Sequence, residues 1–183
     1  QSELEAAMQL VGSQHIVHNG GNIRFTRQGM NASLDGIAKG HIVDSAAAVL
    51  KAQGVDNHLI NAGGDIRTSG ANEKGKPWTI AVEDPAKKGD YPDVIRMRNG
   101  AVATSGGYEI YFDNEKLFHH IVSPTTGLSP QTAASVTVQA DTVLEADALS
   151  TAVFVMPPKL GLAFINSLPG RECLIIAPSG AQY

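Results

Sequence analysis

One cysteine among 183 residues, Cys173, excludes an intrachain disulfide and a cysteine-built metal centre. The chain also lacks an excess of positive charge. Its 14 Lys and Arg against 18 Asp and Glu leave a formal net charge of -4. No basic patch offsets that balance: Lys87-Lys88 is the one basic pair, in a Pro/Gly-rich loop, which argues against a nucleic-acid partner. No apolar run approaches the roughly 18 residues that a membrane-spanning helix needs, so no transmembrane segment is expected. Nor does the chain open on a signal-peptide pattern, and it carries neither an internal repeat nor a low-complexity linker.

What is present reads as folded. A hydrophobic fraction of 43% with 17% charged residues is globular, and the length suits one domain, residues 1–183, with a proper core. Ser2 with Glu5 three residues later forms a capping box that opens a helix running to about residue 10. Residues 15–18 and 22–26 read as a hairpin around Asn19-Gly20-Gly21. A glycine-containing turn at 36–40 leads to a second helix, where Ile42, Val43, Ala46, Ala47, Val49 and Leu50 keep helical spacing until Gly54.

Residues 58–61, 78–83, 93–98, 101–104, 108–112, 117–122, 135–139 and 172–177 are strand-like. Thr142 and Glu145 form a second capping box, opening a helix that Pro157-Pro158 ends, and a last helix spans 160–167. Strands outnumber helices and many are joined by hairpins, so the expected class is α+β, a largely antiparallel sheet with flanking helices. The segments 73–77 and 84–92, rich in Pro, Gly and Lys, are expected to be the most flexible.

Asp147 and Thr151 lie four residues apart in an apolar run, so a helix stacks them on one face. A carboxylate in such company is costly unless neutralised. Two partners would resolve the conflict: an Arg or Lys, or a hard cation such as Mg²⁺ that takes carboxylate and hydroxyl oxygens. Small-residue turns at 35–40, 61–65, 104–107 and 123–127 bare backbone groups for close approach of a phosphate or metal. Lys39 beside the first of these favours an anionic group. His119-His120 can bind phosphate or accept a proton, and strand alternation lets at most one of the two face a site. His15, His18, His41 and His58 are assigned structural roles, and His15-x-x-His18, in a hairpin, is a poor zinc pair.

Taken together, these segments resemble the FAD:protein FMN transferases of the ApbE type. The matching blocks are Leu34-Asp35-Gly36-Ile37-Ala38-Lys39-Gly40 with Asp44, then Asn61-Ala62-Gly63-Gly64-Asp65-Ile66-Arg67, then Trp78-x-Ile80. Ala103-Thr104-Ser105-Gly106, His120-Ile121-x-x-Pro124-x-Thr126-Gly127 and Ala146-Asp147-Ala148-Leu149-Ser150-Thr151 complete them, in family order, from near the start to about Phe164.

The resemblance implies an ApbE-like, T-fold-related domain that splits the FAD pyrophosphate, attaches FMN to a Ser or Thr hydroxyl of an acceptor flavoprotein and releases AMP. It implies Mg²⁺ held by Asp147, Thr151 and the Gly36 carbonyl, with Ser150 where some members have a further carboxylate. Lys39, His120 and the Val122 backbone match positions that contact FAD, while Ser33, Asp65, Thr104 and Ser105 belong to the pocket. His120 is the first candidate for the base that accepts the hydroxyl proton, and Asp65 the second.

Ser33, Asp35 and Ser123 depart from the residues usual in the family. Members carry about a hundred further residues ahead of this point, so the resemblance is to the C-terminal catalytic portion. A periplasmic or cell-surface setting, often as a lipoprotein, is implied by resemblance. Two other activities stay open: a Mg²⁺-dependent FAD pyrophosphatase giving FMN and AMP, and a non-catalytic flavin-binding module.

Overall fold

The computed structural model describes residues 2–87, 89–107, 111–115 and 117–183. Its centre is a five-stranded antiparallel sheet in the order β3-β4-β7-β8-β9. These strands are β3 (His58–Ala62), β4 (Asp65–Ser69), β7 (Gly100–Gly106), β8 (Ser135–Ala140) and β9 (Glu172–Ile176). Helices α2 (Asp35–Ala52), α3 (Val143–Phe154) and α4 (Pro158–Asn166) flank the sheet. Two ribbons complete the fold: β1 (Ile16–Asn19) with β2 (Asn22–Phe25), and β5 (Trp78–Ala81) with β6 (Val94–Met97). Helix α1 (Glu3–Met8) carries the expected capping box in full, with both reciprocal bonds present. The class read from the sequence, α+β with an antiparallel sheet and flanking helices, is the class found.

Alternation along β7 sorts the core into two layers. Ala101 meets Val43 of α2 and Val143 of α3, and Ala103 meets Ala140 and Ala146. Val102, on the other face, packs with Ile66, Ile80 and Met97 beneath the β5–β6 ribbon. Alanines at 101, 103 and 146 let α3 lie close to the sheet. Farther along, Val136 and Val138 of β8 pack with Val153, Phe154, Ile165 and Ile175. Phe154 and Ile165 are wholly buried, and truncating either to Ala costs about 3–5 kcal/mol.

Several expectations are corrected. Residues 35–40 are not a glycine turn before α2 but its first turns, since the helix starts at Asp35. Gly40 is needed there for packing: a Cβ would sit 2.6 Å from the Val143 carbonyl oxygen and 2.7 Å from Leu144 Cα. Strand β4 was not anticipated, because Asn61 to Asp65 reads as a turn with nothing marking the run beyond it. That turn is a tight hairpin over Gly63 and Gly64 (φ +63° and +95°), a conformation that favours glycine at both positions.

The expected strand at 117–122 is not formed: His119 makes an isolated bridge with Tyr111, and Asp113 accepts the amides of Leu117 and Phe118 instead. Residues 108–110 of the expected strand 108–112, and Lys88 of the basic pair, lie outside the described residues. Only half of the second capping box forms. Thr142 accepts the Glu145 amide, while the Glu145 carboxylate goes to Arg171 at 2.7 and 2.9 Å. Pro158 is a first-turn residue of α4, which starts two residues earlier than expected. Among the described residues no helix is long and apolar enough to cross a membrane.

Candidate functional site

A cleft of about 1030 Å³ opens where α2, the β3–β4 hairpin, the end of β5, β7 and α3 meet. Each element contributes by its local geometry. The first turns of α2 bring Asp35, Gly36 and Lys39, and place the positive end of an 18-residue helix at the rim. The glycine hairpin brings Asp65 into the floor. Strand β7 adds Thr104 and Ser105, α3 adds Asp147 and Thr151, and the segment after His119 adds His120 and Val122.

The charges are arranged around two buried carboxylates. Asp65 is 1% exposed, and its Oδ1 lies 3.1 Å from Lys39 Nζ, which also donates to the Gly63 carbonyl at 3.3 Å. Burial raises the Asp65 carboxyl from an ordinary 3.8 to about 6; Lys39 pulls it down and Asp147 pushes it up. Oδ2 of Asp65 is buried and has no hydrogen-bond partner among the described residues. Burial raises the Asp147 carboxyl as well, against the Gly40 amide, which donates to Oδ2 at 3.0 Å. In a regular helix that amide is directed at the Gly36 carbonyl. Two desolvated carboxylates beside one lysine leave negative charge incompletely neutralised.

Three hydroxyls stand next to Asp147. Ser105 Oγ lies 2.8 Å from Ser150 Oγ and 3.1 Å from Thr151 Oγ1, and Ser150 donates to the Asp147 carbonyl at 3.0 Å. The Gly36 backbone is alongside, close enough that a Cβ there would lie 3.9 Å from Thr151 Oγ1. Among the described residues no three His, Cys, Asp or Glu side chains converge on a metal. A cation here would therefore draw on one carboxylate together with hydroxyl and backbone oxygens. The donors are all oxygen, the set a hard divalent cation takes. The orphaned Asp65 oxygen and the two raised carboxyls fit such a charge.

Gly36, Lys39, Asp65, Thr104, Ser105, His120, Val122, Asp147 and Thr151 all line this cleft, as the sequence reading gathered them. Ser33 and Ser150 do not. Ser33 is exposed and accepts the Asp35 amide at 3.1 Å just ahead of α2, while Ser150 is wholly buried with its hydroxyl engaged. Thr104 turns to the opposite face of β7 from Ser105, 2.8 Å from the Thr137 hydroxyl. Of the two histidines only His120 faces the cleft, although the strand whose alternation was expected to separate them does not form. His119 is buried, with Nε2 on the Pro130 carbonyl, Nδ1 accepting the Ile121 amide, and its ring edge-on to Phe154. His120 is exposed and lines the cleft. Glu83 also lines it without having been singled out, since nothing local to it signals a site, while Asn61 and Ile80, which belong to the matching motifs, line it without having been given a role.

Residues 1–175 match the model of the ApbE family. The chain is 35% identical over 172 residues to the FAD:protein FMN transferase of Vibrio cholerae, covering 91% of this chain and 52% of that protein. It is 44% identical over 127 residues to the FAD:protein FMN transferase of Haemophilus influenzae, covering 67% of this chain and 37% of that one. The crystal structure of the ApbE protein of Thermotoga maritima superposes with a TM-score of 0.90 at 34% identity, over 99% of this chain and 60% of its own. The chain thus spans about half the length of the curated relatives it matches.

Proposed function

The chain belongs to the ApbE family, and from that premise we propose that its cleft binds FAD and moves FMN from it onto a Ser or Thr hydroxyl of an acceptor flavoprotein. The observation that carries the reading is the convergence of Asp147, Thr151, Asp65 and Lys39 on one cleft at the positive end of α2. Oxygen donors for a cation and a lysine for an anion are what a diphosphate substrate requires. At about 1030 Å³ the cleft stands at the upper end of small-molecule sites, in keeping with a dinucleotide.

In the proposed reaction the acceptor oxygen attacks the phosphorus on the FMN side of the pyrophosphate. The bond from that phosphorus to the bridging oxygen breaks, and AMP leaves with that oxygen. The hydroxyl proton passes to a base on this chain. His120, open to the cleft, is the first candidate; Asp65 is the second, held by Lys39. Lys39 and the N-terminus of α2 attract the phosphates and orient them for in-line attack. Asp147, Thr151 and the Gly36 carbonyl would hold Mg²⁺, which when bound offsets charge developing on the pyrophosphate.

Incubating the chain with FAD, Mg²⁺ and a flavoprotein bearing an acceptor Ser or Thr tests this directly. Transfer gives the acceptor a mass gain of one FMN together with AMP. Free FMN with AMP and no mass gain overturns transfer in favour of a pyrophosphatase. FAD bound but intact leaves a non-catalytic flavin-binding module.

A further inference from the structure

The hydroxyls of Ser105, Ser150 and Thr151 form a chain whose proton direction is decided at one end. Ser150 donates to the carbonyl of Asp147 at 3.0 Å, and a carbonyl can only accept. Ser150 has one proton, and this bond uses it. The 2.8 Å contact between Ser105 and Ser150 is therefore donated by Ser105. Ser105 has then used its own proton, so the 3.1 Å contact with Thr151 is donated by Thr151. With its proton turned inward, Thr151 keeps lone pairs for the cleft it lines.

The arrangement overrides a local preference. A helical threonine readily turns its hydroxyl back onto the carbonyl four residues earlier, here Asp147. Ser150 occupies that carbonyl from three residues away. Because Ser150 is wholly buried, solvent does not compete for its bond.

We propose that Ser150 and Ser105 are positioning residues: by relaying hydrogen bonds from the Asp147 carbonyl to Thr151, they orient the Thr151 oxygen as an acceptor toward a divalent cation. This rests on the metal-dependent reading above and assigns Ser150 an indirect part in place of direct ligation. Residues that orient a ligand through hydrogen bonds typically change metal affinity about 10–100-fold when removed.

The test needs no turnover. Mg²⁺ alone is titrated into the purified chain while the rise in melting temperature is followed, with Mn²⁺ binding followed by electron paramagnetic resonance as a second readout. Ser150→Ala and Ser105→Ala are each expected to weaken Mg²⁺ by about 10-fold, and Ser105→Ala/Ser150→Ala by no more than the worse single change, since one break interrupts the whole relay. Ser105→Thr, which keeps a hydroxyl, restores binding. Should Ser150→Ala fail to fold, Ser105→Ala and its rescue by Ser105→Thr decide the matter. Unchanged affinity in the single variants, or losses that add in the double, overturns the relay while leaving the metal reading intact. A wild-type chain that does not respond to either cation overturns both.

Discussion

The Gly40 amide donates to the Asp147 carboxylate at 3.0 Å, across a contact between α2 and α3 that has no room for a side-chain carbon. One glycine thus sets the distance between two helices and anchors the carboxylate at the centre of the site. Gly40→Ala would force a methyl to within 2.6 Å of the Val143 carbonyl oxygen, so α3 must shift. The expected loss is about 2–3 kcal/mol in urea unfolding, with weaker Mg²⁺ binding. Gly36→Ala is the contrast. Its methyl would meet Thr151 Cγ2 at an ordinary 3.6 Å, and unfolding free energy is expected to change by less than about 1 kcal/mol.

Asp65 gives the metal-free chain a pH dependence of unusual sign. Its folded-state carboxyl is raised to about 6, above the ordinary 3.8 of an unfolded chain. Between these values the folded state binds the extra proton, so stability is fullest below about 4 and falls as pH rises through 6. Asp147, also raised by burial, acts in the same direction. Urea unfolding from pH 4 to pH 7.5 checks it: Asp65→Asn is expected to flatten the decline, and Mg²⁺ to oppose it in the wild type.

Asp44 caps a helix to which it does not belong. From within α2 its two carboxylate oxygens accept the Val143 and Leu144 amides of α3 at 3.1 and 2.9 Å, and Arg67 lies 3.6 Å from it. Asp44→Ala is expected to cost about 1–2 kcal/mol in denaturant unfolding. Asp44→Asn should recover only part of that, because one of its two polar atoms becomes a donor facing a donor.

The legible parts of this chain were those with a local signature. The Ser2 capping box, the hairpin at Gly20-Gly21 and the stacking of Asp147 on Thr151 all follow from spacing within one element, and the structure contains them. Gly40 was misread because a glycine that ends a turn and one that admits a neighbouring helix look alike along the chain. β4 has no clear signature because it is only five residues long and its buried positions include polar Asp65 and Thr68 beside Ile66, so no apolar alternation marks it. Ser150 was placed among metal ligands by its block. What separates it from Thr151, one residue away, is the helix face each occupies relative to β7, which appears only once α3 is packed.

AMP release from FAD in the presence of Mg²⁺ and the acceptor flavoprotein, with the acceptor's mass gain of one FMN, compared between the wild-type chain and Asp147→Ala, tests the central claim most directly. The account predicts turnover by the wild type and at least about a 100-fold loss in Asp147→Ala, with the variant still folded. Equal turnover by the two would contradict it.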